Sequence, residues 1–254
     1  MEGQIGQVNT QLALKQWQNL RDAFLKIGLK VSLIDPGPER EDMVFCANQT
    51  FVGLNALEKK ICVLSHMKFP SRQQEVPRFE KWFQAFGYEI KTLPYTSSIL
   101  FEGGGDAVWH PNRALIWGGY GQRSNKEVYT YISEVFDAPM CILELKTEKF
   151  YHLDTCFCPI DENTVLIYPP SLTQKSLELI AYFFKEVIEV NQREAMELMA
   201  CNAAAFFNKC VVIQEKSNEV NEKLKSLGFR VIEVDTSEYM KSGGSVFCMK
   251  MALW

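Results

Sequence analysis

Apolar residues recur at helical spacing in five stretches of the chain. In the first stretch, Ala13, Trp17, Leu20, Phe24 and Ile27 follow one another at steps of four, three, four and three residues. Such steps place all five side chains on one face of a helix. The same spacing predicts four further helices, over residues 77–86, 125–136, 172–187 and 217–227.

Short runs rich in β-branched and aromatic residues separate these helices and predict strands. The predicted strands cover residues 30–34, 61–65, 114–117, 141–145, 165–168, 211–214 and 229–234. A helix flanked by such strands recurs at intervals of about 45–65 residues, a period typical of repeated modules in a ring or an array. An ordinary open α/β sheet has the same order of elements, so the pattern predicts the α/β class and leaves both architectures open.

The composition is that of an ordinary globular protein and argues against several classes. The chain has 254 residues and a net charge of −4, and no basic cluster is longer than Lys59-Lys60, which argues against a nucleic-acid partner. Its eight cysteines make up about 3% of the residues, below the roughly 8–10% of small disulfide scaffolds. No linker marks a boundary, so we expect one domain over residues 1–254.

The first residues, 1–4, are polar, and no apolar run reaches the roughly 18–20 residues that cross a bilayer. We therefore expect no secretory signal, no membrane contact and a place in the cytoplasm. In that reducing compartment most of the cysteines are expected to be free thiols.

One segment, residues 150–159, combines a histidine, a carboxylate and two cysteines. Strand alternation predicts that His152, Asp154 and Cys156 share one face. A proton carrier would then lie beside an anion able to bind a cation. A buried structural histidine is the alternative. A zinc site is a third interpretation, although Cys156 and Cys158 lack the usual Cys-x-x-Cys spacing.

Two glycine-rich segments also stand out. Glu102 and Asp106 flank three glycines, which predicts either a tight turn or a site lined by acids. No helix start is expected there, and the phosphate-loop pattern is absent. Near the end of the chain, Gly243 and Gly244 lead into a predicted strand that begins at Cys248. A thiol at such a junction is expected to be exposed enough to react.

Four motifs together resemble the guanidino-group-modifying enzyme superfamily, which includes arginine deiminases, dimethylargininases, amidinotransferases and arginine dihydrolases. They are MVFCAN at 43–48, FEGGGD at 101–106, YHLDTCFCP at 151–159 and GGSVFC at 243–248. They occur in the family's order, and the likeness extends from about residue 12 to residue 251. The resemblance implies the pentein fold, an α/β propeller of five modules with pseudo-fivefold symmetry and a central active site. It therefore favours the ring over the open sheet.

The resemblance also implies roles for individual residues. Cys248 would be the nucleophile, His152 the general acid–base and Glu102 the carboxylate of the triad. Asp154 would bind the guanidinium, and Asn48 would lie at the reacting end of the substrate. Further substrate-binding positions are Arg72, which would bind the substrate carboxylate, and Asp106, Ser242 and Gly243. The implied partner is a small guanidino compound, no metal or cofactor is required, and a homo-oligomer is compatible with the family.

The implied reaction is hydrolysis of the guanidinium of arginine through an amidino-thioether on Cys248. Family deiminases generally carry Asp where this chain has Asn48, and Asn resembles the arginine dihydrolase branch. Citrulline, or ornithine after a second round, is therefore the expected product. A dimethylargininase is the alternative within the same chemistry, and an amidinotransferase is a third.

Two departures from the family pattern favour a different class, a non-catalytic binding protein of the same fold. Phe247 replaces a residue that is often basic in relatives, and that loss should raise the thiol pKa of Cys248. Relatives of the dihydrolase branch also carry an earlier stretch ending in Asn-Pro-Trp-Met. This sequence starts at what resembles that Met.

Overall fold

A computed structural model describes residues 6–38, 40–94, 98–207 and 209–253, so the polar residues 1–4 lie outside the described part. The strands are β1 (Thr50–Leu54), β2 (Lys60–Leu64), β3 (Glu89–Lys91), β4 (Ala107–Trp109), β5 (Ile116–Tyr120), β6 (Met140–Glu144), β7 (Phe157–Pro159), β8 (Thr164–Ile167), β9 (Glu186–Glu189), β10 (Ala204–Phe206), β11 (Cys210–Gln214) and β12 (Arg230–Val234). The α-helices are α1 (Thr10–Lys26), α2 (Pro70–Gln73), α3 (Val76–Ala85), α4 (Gly103–Asp106), α5 (Val128–Phe136), α6 (Gln174–Phe183), α7 (Gln192–Glu197), α8 (Asn218–Ser226) and α9 (Ser237–Met240). Short 3-10 helices cover Glu41–Val44, Leu153–Thr155 and Pro169–Ser171.

The strands form four sheets of three, and all four are built alike. In each sheet the first two strands are antiparallel and the third lies parallel to the second. A parallel neighbour requires a crossover connection, and α3, α5, α6 and α8 provide it in turn. This repetition of one unit confirms the five-module propeller over the open sheet.

The remaining module is formed by α1 and the segment after it, together with the segment near the C-terminus that carries Cys248. Leu20 and Phe24 of α1 pack in one buried cluster with Val246 and Cys248. The predicted strand at 30–34 is wrong, since this segment joins no sheet and Val31 packs against the same cluster. The part of the chain that carries Cys248 is thereby held against α1.

The five predicted helices are found, and the largest difference in length is in the fourth. Residues 184–187 leave the predicted fourth helix, because β9 pairs parallel with β8 across Val165 and Val187. The strands that the sequence did not predict are β1, β3, β4, β7, β9 and β10. Four of these have only three residues, too few to show an alternating pattern.

All eight cysteines are free thiols, as predicted. No helix in the described ranges has both the length and the apolar character that crossing a membrane requires.

Candidate active site

Segments from different modules converge on one buried point. Glu102 directly precedes α4, Asn48 lies two residues before β1, and His152 directly precedes the 3-10 helix Leu153–Thr155. Cys248 lies in a turn near the end of the described chain. All four side chains are at most 2% exposed.

The strand predicted through His152, Asp154 and Cys156 is wrong. The Thr155 N–H and hydroxyl both donate to the His152 carbonyl, at 3.2 and 2.7 Å, and close a tight turn instead. Cys156 and Cys158 follow that turn, and their thiols donate to the carbonyls of Leu153 and Ala203. Among the described residues no group of three or more His, Cys, Asp or Glu side chains is arranged to hold a metal ion.

His152 and Glu102 form a buried pair, with Nε2 and Oε2 2.7 Å apart. Burial raises the pKa of Glu102, but the hydrogen bond and charge of His152, and the charge of Arg123, lower it to about 2. Burial lowers the pKa of His152, but the carboxylates of Asp106, Glu102 and Asp154 raise it overall. The pair therefore favours an imidazolium against a carboxylate.

Cys248 does not begin a strand and is not exposed. Its turn is closed by the Met249 N–H, which donates to the Ser245 carbonyl, and the residue is only 2% exposed. Its Sγ lies 3.2 Å from Asp154 Oδ2. Burial and the neighbouring Asp154 raise the pKa of the thiol well above its usual range. The resting group is thus a thiol, and a cation bound beside it would favour the thiolate.

Asn202, which belongs to none of the sequence motifs, holds the turn that carries Cys248. Its Oδ1 accepts the N–H groups of Ser245 and Cys248, at 3.0 and 3.2 Å. Its Nδ2 donates to the Asp154 carbonyl and to Cys248 Sγ, at 3.0 and 3.2 Å. No local pattern marks a single Asn before a three-residue strand, so only the tertiary structure identifies it.

Three buried polar atoms at this point have no hydrogen-bond partner within the described residues: Asn48 Nδ2, His152 Nδ1 and Asp154 Oδ1. A Cβ atom at Gly105 would collide with Asn48 Nδ2 and lie 3.1 Å from His152 Nδ1, so both nitrogens surround the same glycine. Burial raises the pKa of Asp154 to about 6, although the charge of His152 opposes that rise. Unpaired buried polar atoms are costly, and a polar ligand would satisfy these three.

Arg72 is buried and its guanidinium is engaged by the protein. Nε lies 3.0 Å from Glu75 Oε2, and Nη2 donates to the Phe45 carbonyl at 3.2 Å. Nη1 donates to Asn48 Oδ1 at 3.2 Å. Because Arg has only donors, it binds the oxygen of the Asn48 amide and leaves the NH₂ end for the site. Its predicted contact with a substrate carboxylate stays a prediction.

Asp106 was predicted to bind substrate, but both of its oxygens are used by the protein. Leu153 N–H donates to Oδ1 at 3.0 Å, and Ser124 Oγ donates to Oδ2 at 2.6 Å. The segment 103–106 is a short helix, contrary to the expectation that no helix begins there. Burial raises the pKa of Asp106 to about 7, against the lowering effect of the His152 charge.

The loop with Ser242 and Gly243 lies beside Tyr151. Gly243 has a φ of 93°, a value that favours glycine, and its carbonyl accepts the Tyr151 hydroxyl at 2.6 Å. Ser242 is exposed on this loop. The guanidinium of Arg123, another residue that sequence analysis missed, stacks on Tyr151 and Phe69 at 4.7 and 4.5 Å from the ring centroids.

Lys250 supplies a cation close to Phe247, the position at which relatives often carry a basic residue. Its Nζ lies 3.7 Å from the centroid of the Phe247 ring. Burial lowers the pKa of Lys250 to about 8, while Cys158, Cys46, Asp154 and Cys248 favour its charged form. A positive charge is therefore restored on this side of the nucleophile.

Comparison with known proteins gives one family and several relatives. A family model described as N,N dimethylarginine dimethylhydrolase, eukaryotic, matches residues 2–254. The bifunctional arginine dihydrolase/ornithine cyclodeaminase ArgZ of Synechocystis is 35% identical over 99% of this chain and 34% of its own length. The N(G),N(G)-dimethylarginine dimethylaminohydrolase of Mycobacterium tuberculosis is 32% identical over 97% of this chain and 77% of its own.

The crystal structure of the N-terminal domain of ArgZ bound to substrate superposes with a TM-score of 0.91 at 34% identity. It covers 98% of this chain and 89% of that one. The chain spans about a third of the length of the first curated relatives that it matches.

Proposed function

Because the chain belongs to the N,N-dimethylarginine dimethylhydrolase family of guanidino-modifying enzymes, we propose that it hydrolyses the guanidinium of arginine through a covalent bond to Cys248. We further propose that it continues from citrulline to ornithine. The whole of residues 1–254 would form the single catalytic domain. A cytoplasmic location and a homo-oligomeric state stay predictions.

The orientation of the Asn48 amide carries the proposal. Arg72 holds Oδ1, so Nδ2 is the end available to a ligand. An N–H donor does not match the guanidinium of arginine, whose nitrogens also present N–H groups, but it matches the ureido oxygen of citrulline. Across the site, Asp154 Oδ1 is an acceptor for the N–H groups of either compound. The site thus complements citrulline as a second substrate.

In the first round, the guanidinium binds Asp154, and its positive charge stabilises the Cys248 thiolate as the thiol proton passes to solvent. Sγ then adds to the guanidinium carbon. His152, held as imidazolium by Glu102, gives its Nδ1 proton to one NH₂ group, which leaves as ammonia. The neutral imidazole next removes a proton from water, whose oxygen attacks the amidino-thioether. The C–S bond breaks, and citrulline leaves.

The second round uses the same groups on the ureido carbon. The Cys248 thiolate adds while Asn48 Nδ2 donates to the ureido oxygen, which gains negative charge in that step. His152 protonates the remaining NH₂ group, and a second ammonia leaves. A thiocarbamate then joins Sγ to the ornithine nitrogen. Water releases the carbamate, which loses carbon dioxide to give ornithine.

The test is amino-acid analysis after incubation of the protein with arginine. We expect ornithine and two equivalents of ammonia, with Cys248→Ser as the inactive control. The matched variant Asn48→Asp places a carboxylate against the ureido oxygen and should stop the reaction at citrulline. Citrulline as the sole product of the wild type would contradict the second round. An unmodified Cys248 in mass spectra, together with no product, would contradict catalysis.

A dimethylargininase is the second candidate, supported by the family description and by the relative from Mycobacterium tuberculosis. The free Asp154 Oδ1 favours arginine, because arginine offers N–H groups on both terminal nitrogens, whereas asymmetric dimethylarginine offers them on only one. We expect kcat/KM for arginine to exceed that for asymmetric dimethylarginine by at least about tenfold, the value of roughly one lost hydrogen bond. A reversed ratio would establish the second candidate.

A further inference from the structure

A chain of hydrogen bonds beside the His152–Glu102 pair joins the backbone of Glu102 to that of Leu153, the residue after His152. The Glu102 N–H donates to Ser124 Oγ at 3.0 Å, and the Ser124 hydroxyl donates to Asp106 Oδ2 at 2.6 Å. On the other side, Asp106 Oδ1 accepts the N–H of Leu153, the residue next to His152, at 3.0 Å. Asp106 is 1% exposed and Ser124 is 3% exposed.

We propose that Asp106 is a positioning residue: it binds the Leu153 N–H beside His152 and, through Ser124, the N–H of Glu102, and so holds the His152 and Glu102 segments together. The inference rests on the proposed function, since the charged imidazole is the acid of that reaction. It replaces the predicted role of Asp106 as a substrate ligand.

These hydrogen bonds argue against the predicted role of Asp106 as a substrate ligand. Each carboxylate oxygen already has a protein donor, whereas Asp154 has one oxygen without a partner in the described residues. The peptide oxygen of Asp106 also accepts the Tyr129 hydroxyl, so the residue is fixed from three sides. A ligand would have to displace a buried donor to reach it, at the cost of leaving that donor unpaired.

Burial raises the pKa of Asp106 to about 7, so the carboxylate is charged above that pH, and its charge acts on the imidazole because little water separates buried groups. Burial lowers the pKa of His152, and Asp106 is the first of the carboxylates that raise it. The titratable groups that face Asp106 are His152, Glu102, Tyr129 and Cys156. Among them only His152 is held in its cationic form, so loss of the Asp106 charge should lower the pKa of the imidazole.

The substitution Asp106→Asn separates charge from position. The amide oxygen still accepts the Leu153 N–H, and the amide NH₂ donates to Ser124 Oγ, so the segment keeps its anchors. Ser124→Ala instead keeps the charge and removes the link to Glu102. The matched control is Asp161→Asn, because Asp161 Oδ1 also accepts two backbone N–H groups, those of Asn163 and Thr164, but lies in a turn between β7 and β8.

The first measurement is the pH dependence of kcat for arginine. With Asp106→Asn the alkaline limb should move to lower pH by about one unit, because an imidazole without that carboxylate loses its proton sooner. Asp161→Asn should leave the profile unchanged. A uniform fall in kcat with an unmoved limb would reduce Asp106 to a structural residue. A raised KM for arginine at unchanged kcat would restore the substrate-ligand role.

The second measurement does not need turnover. NMR titration of the imidazole C–H signals, assigned to His152 with His152→Gln, should show the same shift in Asp106→Asn. If the wild type forms no product but His152 still titrates lower in the variant, the proposed function fails, whereas the effect of Asp106 on the imidazole is supported. An unmoved His152 titration in a folded Asp106→Asn variant overturns the inference.

Discussion

Two histidines, His110 and His152, are equally buried, at 1% exposed each, yet their surroundings are opposite. Trp117 Nε1 donates to His110 Nδ1 at 3.0 Å, and His110 Nε2 lies 3.2 Å from the Glu162 carbonyl. Because an indole N–H only donates, Nδ1 is an acceptor and Nε2 carries the proton. Both ring nitrogens are therefore committed in the neutral form, and burial lowers the pKa of His110.

The neighbours of the His152 ring are carboxylates, whereas those of the His110 ring are an indole N–H and a backbone carbonyl. Its Nε2 is paired with Glu102, and its Nδ1 has no partner in the described chain. The comparison shows that burial alone does not make a histidine suited to acid–base chemistry. An adjacent carboxylate and a ring nitrogen left for a ligand make the difference.

The largest effect is expected when the imidazole of His152, which has the free ring nitrogen, is removed. His152→Gln should lower kcat for arginine by about 10²–10⁴-fold, the usual contribution of general acid–base catalysis. The melting temperature should change far less than kcat does. A variant that retains more than about a tenth of wild-type kcat would show that another group supplies the proton.

The counterpart is His110→Leu, which should affect stability and leave chemistry intact. It leaves the Trp117 N–H and the Glu162 carbonyl without a partner, a loss of about 1–3 kcal/mol in the free energy of unfolding. Urea denaturation measures this loss, and kcat per folded molecule should equal that of the wild type. His110→Gln, which can restore one of the two bonds, is the matched control and should recover part of the stability.

The two histidines should also give opposite dependences of stability on pH. His110, with a lowered pKa, contributes stability that is present above about pH 6.5 and is lost as the pH falls through its folded pKa. His152, with a raised pKa, contributes stability that is present below about pH 6.5 and is lost as the pH rises through its folded pKa.

The contributions of His110 and His152 to the pH dependence of stability can be measured from the unfolding free energies of the wild type, His110→Gln and His152→Gln at pH 5 and pH 8. The penalty of His110→Gln should shrink at pH 5, and that of His152→Gln should shrink at pH 8. Parallel changes in both variants would contradict the contrast between the two environments.

The smallest effect concerns the charge on the far side of the site. Lys250→Met removes the ammonium above Phe247 and should slow alkylation of Cys248 by iodoacetamide at pH 7, below the pKa of about 8 of Lys250, by a few-fold, about the value of one partly screened charge. Lys250→Arg should retain the wild-type rate. Equal rates in all three proteins would show that Lys250 does not act on the thiol.

The parts of the structure that the sequence predicts are those with local causes. Apolar spacing located the helices because each turn repeats within a few residues, and α1 and α8 lie within three residues of their predicted bounds. The pentein fold followed from the four motifs. These motifs also name Glu102, His152 and Cys248. In the structure His152 lies 2.7 Å from Glu102, and Cys248 lies 3.2 Å from Asp154, two residues after His152.

The parts that were missed or wrong depend on partners distant in sequence. Asn202 and Arg123 belong to no motif and gain their contacts only when modules meet. The substrate-binding role of Asp106 stays a prediction, but its hydrogen bonds could not be read from the sequence, because an acid beside three glycines looks the same whether its oxygens face a ligand or a backbone N–H. Only the positions of Ser124 and Leu153 distinguish the two.

The assembly of the reactive groups across modules has a consequence for folding kinetics. His152 and Glu102 are 50 residues apart, Cys248 and Asp154 are 94 apart, and Asn202 and Cys248 are 46 apart. Contacts at such separations form late, since the loop entropy is lost before the contact stabilises the chain. During refolding, helical circular dichroism should therefore recover first. Enzymatic turnover should return last, and the rate of its return should report the rate at which the ring of modules closes.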